Sequence, residues 1–215
     1  MNEYNYDPTV FDVATREEAK SIILTPEADN STDKRWELET PALINLLKPY
    51  GPFKKILDYG CGIGRLSKEL VTRDNLIVGA DISMNMRTLS IPYMASPNWI
   101  PVHPNYLQDL NIKFDLVLAV WVLQHVMHPA QTIKQIASLI RPGGYMLVVN
   151  NYNRVVPCQH DGKLVWATDG IDIRALLDGC SELTAATHKV YTEFKLPETF
   201  GKLSEFTWIR LYQKI

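Results

Sequence analysis

Ile56-Leu57-Asp58-Tyr59-Gly60-Cys61-Gly62-Ile63-Gly64-Arg65-Leu66-Ser67-Lys68-Glu69-Leu70 is the stretch on which the fold of this chain turns. An apolar run opens it, an acid and three alternating glycines follow, and Leu66, Leu70 and Val71 recur at helical spacing. That pattern reads as strand, tight turn, helix. Glycine permits positive φ and close backbone approach, so such a turn suits a nucleotide-type ligand, toward which the next helix aims its unpaired amides. A dinucleotide fingerprint, G-x-G-x-x-G, would require glycine at position 65. Arg65 stands there and the third glycine comes one residue early, at Gly64. The spacing therefore argues against a bound pyrophosphate and leaves other nucleosides open.

Outward from the turn, strand and helix alternate. Leu76 to Ala80 is a short apolar strand ending at Asp81, about 20 residues past the first glycine, where βαβ units hold ribose hydroxyls. Ser83 supplies the cap for the next helix, which leaves Asp81 free for that role. Trp99, Ile100 and Val102 predict a third strand, followed by His103-Pro104-Asn105-Tyr106. Phe114 to Trp121 is apolar except for Asp115, as expected of a central parallel strand buried on both faces. A helix from Pro129, with Ile133, Ile136, Ala137 and Ile140 on one face, is expected to stop at Arg141-Pro142-Gly143-Gly144 before a strand over Tyr145–Val149. This alternation predicts an α/β doubly wound sheet with its ligand at the carboxyl ends of the strands.

The flanks differ from this middle. Thr15 and Glu18 form a capping box ahead of Ala19, Ile22 and Ile23. A second helix is expected to start with Thr40 as N-cap and Pro41 in its first turn. Residues 1–53 thus read as a helical cap, either a surface cover or a lid, on a core of residues 54–215 within one structural domain. Segments flanking His160-Asp161-Gly162 predict a hairpin insertion at about 154–167 that overhangs the crevice. A short helix over Ile171–Leu177, a strand over Leu183–Phe194 and a closing strand over Thr207–Tyr212 complete the chain, the last two antiparallel.

The 215 residues suffice for one domain with a full core. Hydrophobic residues make up 46% and charged residues 21%, within the ordinary globular range. The net charge is −2 and no basic run exceeds two residues, so no nucleic acid is expected as partner. No apolar stretch reaches the roughly 18 residues of a membrane span, and the first thirty residues do not suit a signal peptide. Cys61, Cys158 and Cys180 are widely separated, which suits reduced thiols and a cytoplasmic location. Oligomeric state is left open.

Four segments in order resemble the class I S-adenosylmethionine-dependent methyltransferases: Asp58 to Gly64; Gly79-Ala80-Asp81-Ile82-Ser83; Phe114 to Val117 running into Val122-Leu123-Gln124-His125-Val126; and Leu139 to Tyr145. The resemblance covers about residues 54–150, and the late strand pair looks like that fold's reversed seventh strand. It implies a Rossmann-like, mostly parallel seven-stranded sheet whose last strand is antiparallel, with S-adenosylmethionine as cofactor and S-adenosylhomocysteine as product. It further implies that Gly60, Cys61 and Gly62 pass along the methionine portion and ribose, that Asp81 takes the ribose hydroxyls, and that Ile82 packs on adenine. Asn105, beside Tyr106, stands where the family often has an acid for the adenine amine. Asp58 and the Ala119 carbonyl would orient the methionine amino group.

Methyl transfer from a sulfonium needs mainly an in-line nucleophile and exclusion of water, and positioning of that kind is worth up to about 7 to 11 kcal/mol. His125 is the candidate base, with a structural hydrogen bond to backbone as its plainer role. Trp121 and Trp36 are read as packing, with stacking on a sulfonium or flat substrate as the alternative. Arg35 is read as a solvated charge, or else a partner for the cofactor carboxylate. No metal is expected, because neither His125 with His128 nor Cys158 with His160 has further ligands at finger-like spacing. A small-molecule acceptor is favoured by the absence of any added binding domain and of the Asn/Asp-Pro-Pro-aromatic motif after the fourth strand. The alternatives are an NAD(P)-dependent oxidoreductase and a cofactor-binding module without turnover.

Overall fold

The computed structural model describes residues 6–26, 30–183, 191–195 and 205–215. Nine strands are described: β1 (Lys55–Tyr59), β2 (Leu76–Ala80), β3 (Trp99–Val102), β4 (Phe114–Val120), β5 (Ile140–Asn151), β6 (Asn153–His160), β7 (Lys163–Asp172), β8 (Tyr191–Phe194) and β9 (Thr207–Gln213). Seven form one sheet in the order β3-β2-β1-β4-β5-β9-β8, and β6 pairs with β7 as a separate hairpin. Pairings from β3 to β5 are parallel, and β9 runs antiparallel to both its neighbours. Order reverses between β1 and β4, and a ligand crevice opens where strand order reverses.

Successive residues of the central strands bury on opposite faces. Ile56, Ile77, Leu116, Leu118 and Leu147 join one core, whereas Leu57, Val78, Val117, Ala119 and Val148 join the other. The first core is covered by α2 (Thr32–Leu47), which contributes Leu43 and Leu47, together with α3 (Arg65–Leu70) and α4 (Met84–Met94). On the second lie α5 (Pro129–Leu139) and α6 (Ile173–Asp178). Two-sided burial is why these strands read as continuous apolar runs. Asp115, the exception in β4, accepts the amides of Lys54 and Lys55, each at 2.8 Å, and the Arg141 guanidinium, which hold its carboxyl below the usual range against burial.

Several boundaries differ from the sequence reading. α2 begins after Ser31, whose hydroxyl accepts the Lys34 amide, and runs through Pro41 instead of starting there. Arg35, Glu39, Leu43 and Leu47, four residues apart, are all buried, and this continuous face offsets the roughly 3 kcal/mol that an interior proline costs. β5 begins at Ile140, because Ile140 pairs with Phe114 before a bulge restores the ladder at Leu116 and Tyr145. Arg141 to Gly144 is thus a bulged strand segment rather than a helix-stopping loop. The hairpin spans residues 153–172, its Asp161 and Gly162 both at positive φ, and it delays α6 to Ile173. Of the strand expected over Leu183–Phe194, positions 184–190 lie outside the described residues, and β8 occupies Tyr191–Phe194.

Among the described residues no helix is long and apolar enough to cross a membrane.

Candidate active site

α1 (Arg16–Ile23) carries the expected capping box, Thr15 accepting from the Glu18 amide while Glu18 accepts from the Thr15 amide. The segment before and through it lies across the carboxyl ends of the strands as a strap. Tyr6 bridges to Cys158, the Asp7 amide donates to the Pro157 carbonyl at 2.9 Å, and Gln159 donates to the Asp7 carboxylate. At its middle, the Ser83 hydroxyl donates to Asp12 at 2.8 Å. Beneath the strap is a cavity of about 1240 Å³. It exceeds the roughly 300–1,000 Å³ of an ordinary single-ligand pocket, so two small molecules fit side by side.

Of the ten residues expected at the site, Gly60, Gly62, Asp81, Ile82, Asn105 and His125 line this cavity. Asp58, Cys61, Tyr106 and Ala119 do not. Asp58 is buried and accepts from the Ser67 hydroxyl at 2.7 Å; burial pushes its carboxyl up to about 6. The Cys61 thiol is buried and pushed well up by desolvation. Ala119 lies inside the sheet, registered with Tyr59 and Val148. Tyr106 is exposed and its ring leans on His103. Side chains of adjacent residues leave a parallel strand or tight turn in opposite directions, so neighbours in sequence cannot all face one crevice.

The glycine turn departs from the expected amide cradle. The amides of Gly60 and Cys61 both donate to the Ala80 carbonyl, at 2.7 and 3.1 Å, and that of Gly62 donates to the Asp81 carboxylate at 2.8 Å. Three turn amides are thereby spent on β2 and the acid after it. A turn so arranged offers a ligand apolar backbone and a carboxylate rather than an anion nest. Gly62 sits at φ +52, and a Cβ there would meet the Ile23 side chain at 2.5 Å, so glycine also admits the strap. Gly60 makes the same room for Val122, whose methyl group would lie 2.3 Å from a Cβ.

Asp81 accepts from Gly62 through one oxygen and from the Ser83 amide at 2.9 Å through the other. Burial raises its carboxyl, while these two amides and Arg87 oppose the rise. Each carboxylate oxygen retains a lone pair for a further donor. Ile82 is exposed beside it, and Asn105 follows in a single turn whose amide is fixed by His103 Nδ1 at 3.2 Å.

On the other side of β1, Trp121 follows β4 at φ +60, an uncommon conformation for a bulky residue and a sign of local strain. It packs against the core beneath α2, as expected, and also lines the cavity, with the Arg35 guanidinium 6.0 Å from its ring. Arg35 itself is buried, not solvated: it pairs with both oxygens of Glu39 at 2.6 and 3.2 Å and donates to the Thr25 carbonyl. Trp36 packs away from the cavity, edge-on to Tyr93 and beside Arg65. His125 holds Val155 O at 2.6 Å through Nδ1 and meets the Gln124 side-chain nitrogen at 3.1 Å through Nε2. Burial pushes its pKa down to about 4.

Tyr6, Phe11 and Trp166 also line the cavity and were not signalled by any sequence motif. They come from the strap and from β7, more than 100 residues apart in sequence, and an apolar residue in a flank carries no local mark of what it faces. Among the described residues no group of three His, Cys, Asp or Glu side chains is placed to hold a metal ion.

A sequence profile described as a methyltransferase domain matches residues 33–185. The ubiquinone biosynthesis O-methyltransferase of Coxiella burnetii is 33% identical over 98 residues, which cover 42% of this chain and 41% of that protein. The enzyme of the same name from Haemophilus ducreyi is 29% identical over 140 residues, 59% of this chain and 58% of that one. The chain therefore spans about half the length of these curated relatives. Among solved structures, the PH0226 protein of Pyrococcus horikoshii superposes with a TM-score of 0.62 at 16% identity, covering 91% of this chain and 98% of that one. The N-methyltransferase NodS of Bradyrhizobium japonicum, in complex with S-adenosylhomocysteine, gives 0.59 at 15%, covering 92% and 97%. These likenesses speak for the fold, and the profile match takes in well over half of the sequence. Sheet order, reversed last strand, glycine turn and profile agree that the chain belongs to the methyltransferase domain family, within the class I S-adenosylmethionine-dependent methyltransferases.

Proposed function

We propose that the chain transfers a methyl group from S-adenosylmethionine to a small-molecule acceptor, with residues 1–53 serving as a cap on the catalytic core of residues 54–215. One observation carries the reading: the Asp81 carboxylate, tied to the glycine turn through the Gly62 amide at 2.8 Å, opens onto a cavity with room for two ligands. When bound, S-adenosylmethionine supplies an electrophilic methyl on a sulfonium. The residues present fit it, because the turn's amides are already engaged and no phosphate is there to require them.

Asp81 would accept from the ribose hydroxyls, Ile82 would cover one face of the adenine and Asn105 would meet its edge. Gly60 and Gly62 would let the methionine arm lie against backbone. Asp58 and the Ala119 carbonyl stand behind this surface, and any action on the amino group would run through water or through the turn itself. The acceptor's lone pair forms the new bond to the methyl carbon while the carbon–sulfur bond breaks toward sulfur. Any proton on the acceptor leaves to solvent afterwards. His125 supports this chemistry as a neutral positioning group, since both of its ring nitrogens are engaged. The strap and hairpin cover part of the cavity, and exclusion of water is the other requirement of an in-line displacement.

The small-molecule class is supported by the size of the cavity beneath the strap, about 1240 Å³. The relatives named as ubiquinone biosynthesis O-methyltransferases act in keeping with that class. Calorimetry with S-adenosylhomocysteine and with NAD tests the cofactor, and binding of NAD alone would overturn the proposal. Transfer of labelled methyl from S-adenosylmethionine to a metabolite extract tests turnover.

A further inference from the structure

Three rings from three separate segments meet on the β4–β5 side of the cavity: Phe11 from the strap, His125 from the turn after β4, and Trp166 from β7. Their centroids lie 5.6 Å apart for Phe11 and His125, 5.2 Å for His125 and Trp166, and 6.2 Å for Phe11 and Trp166, with interplanar angles of 50°, 56° and 64°. Asp81 and Ile82 lie on the other side of the strand-order reversal, after β2. The cavity thus has a nucleoside half and an aromatic half, with Gly60 and Val122 between them.

We propose that the Phe11, His125 and Trp166 wall is the docking surface for the methyl acceptor, and that it selects a flat, uncharged aromatic molecule. The inference rests on the methyltransferase reading. Trp166 lines the cavity and remains 46% exposed although two other rings pack against it. Closing its exposed surface against another ring removes apolar surface from water and adds an aromatic pair. The wall also carries no charge. Nδ1 of His125 faces a carbonyl and must bear the hydrogen, while Nε2 faces the Gln124 amide, whose oxygen is already taken by the Asn151 amide at 2.8 Å. A cationic acceptor is the competing class. The three rings touch one another, at separations inside the roughly 4.5–7 Å range of direct aromatic pairs, so they make a continuous surface rather than a cage around an ammonium group.

The test uses the full chain saturated with S-adenosylhomocysteine and three probes: 2-naphthol, its saturated counterpart decahydro-2-naphthol, and tetramethylammonium. Calorimetry should give 2-naphthol a dissociation constant at least tenfold below that of decahydro-2-naphthol, with no displacement by tetramethylammonium. Trp166→Leu should weaken 2-naphthol at least fivefold and Trp166→Phe should restore most of the loss. Phe11→Leu should weaken it in the same direction, and all three variants should keep the wild-type affinity for S-adenosylhomocysteine. Equal binding of the two naphthol forms, an unaffected Trp166→Leu variant, or displacement by tetramethylammonium overturns the acceptor assignment alone. Failure of S-adenosylhomocysteine to bind the wild-type chain overturns the methyltransferase reading and the assignment with it.

Discussion

The side-chain nitrogen of Gln124 lies 3.1 Å from Nε2 of His125, and this contact fixes the tautomer of the neutral histidine. A directed chain of hydrogen bonds fixes its sense. The Asn151 amide donates to Gln124 Oε1 at 2.8 Å, so the Gln124 NH₂ group faces the ring and donates to Nε2, and Nδ1–H donates to the Val155 carbonyl at 2.6 Å. A second proton on the ring would meet a donor. Burial lowers the pKa from the ordinary 6.5 to about 4, and the hydrogen bond to the Val155 carbonyl opposes that fall.

Gln124→Glu replaces that donor with an acceptor while leaving an oxygen for the Asn151 amide. The His125 pKa is expected to rise by more than one unit, followed through the ring proton shifts in an NMR titration. A histidine that still titrates near 4 in the variant would mean that desolvation alone sets its state.

Stability should depend on pH through two opposed groups. His125 binds a proton in the unfolded chain below about 6.5 but in the folded chain only below about 4, so its contribution is present above 6.5 and is lost as pH falls through 4. Asp58 is raised from 3.8 to about 6, so its contribution is present below 3.8 and is lost as pH rises through 6. Each amounts to at most about 3 kcal/mol, and between pH 4 and 6 they oppose each other. Asp58→Asn removes one of the pair. Urea denaturation of this variant should show stability falling on acidification from pH 6.5 to 4 more steeply than in the wild type.

Asp81→Asn keeps the size of the side chain and one acceptor oxygen but loses the charge and one of two acceptors. Affinity for S-adenosylhomocysteine should fall by about 1 to 3 kcal/mol, as read by calorimetry. An unchanged affinity would identify a different residue as the ribose partner.

The Asp12 and Ser83 contact at 2.8 Å latches the strap beside the nucleoside half. Ser83 also caps α4 by accepting the Met86 amide at 3.1 Å, so the two sides of the latch are separable. Ser83→Ala should cost about 1 kcal/mol of stability through the cap. Asp12→Ala should leave stability nearly unchanged and speed dissociation of S-adenosylhomocysteine several-fold in stopped-flow measurements. Equal dissociation rates would show that the strap does not gate the cofactor.

Gly79 in β2 is glycine for want of space. A Cβ there would lie 1.9 Å from the Trp99 indole, whose nitrogen donates to Ser90 at 2.9 Å. Gly79→Ala should destabilise the chain by about 1 to 3 kcal/mol, as overpacking does, and thermal denaturation should register it as a lower Tm.

Wherever local pattern carries the information, the sequence was legible. Two-sided burial wrote β1, β4 and β5 as apolar runs, Thr15 and Glu18 announced α1, and Asp161-Gly162 announced the hairpin turn. The start of α2 differs because Thr40-Pro41 is a strong local start signal, and the buried face from Arg35 to Leu47 that overrides it exists only after packing. Arg141 to Gly144 reads as a loop for the same reason, since Phe114, the partner of the preceding Ile140, is remote in sequence.

By itself the sequence determined a doubly wound sheet and a glycine turn paired with Asp81, whose spacing argues against a pyrophosphate. These follow from periodicity, glycine spacing and the interval between an acid and its turn, all of them properties of neighbouring residues. Only the tertiary structure decided that the turn's amides face β2, that Asp58 and Ala119 stand behind the cavity wall, and that burial holds His125 neutral. It alone brought Phe11 and Trp166 to the same wall. Those facts depend on which side chains from distant segments fill one space, and hydrogen bonds and ring contacts across such distances leave no period in the chain.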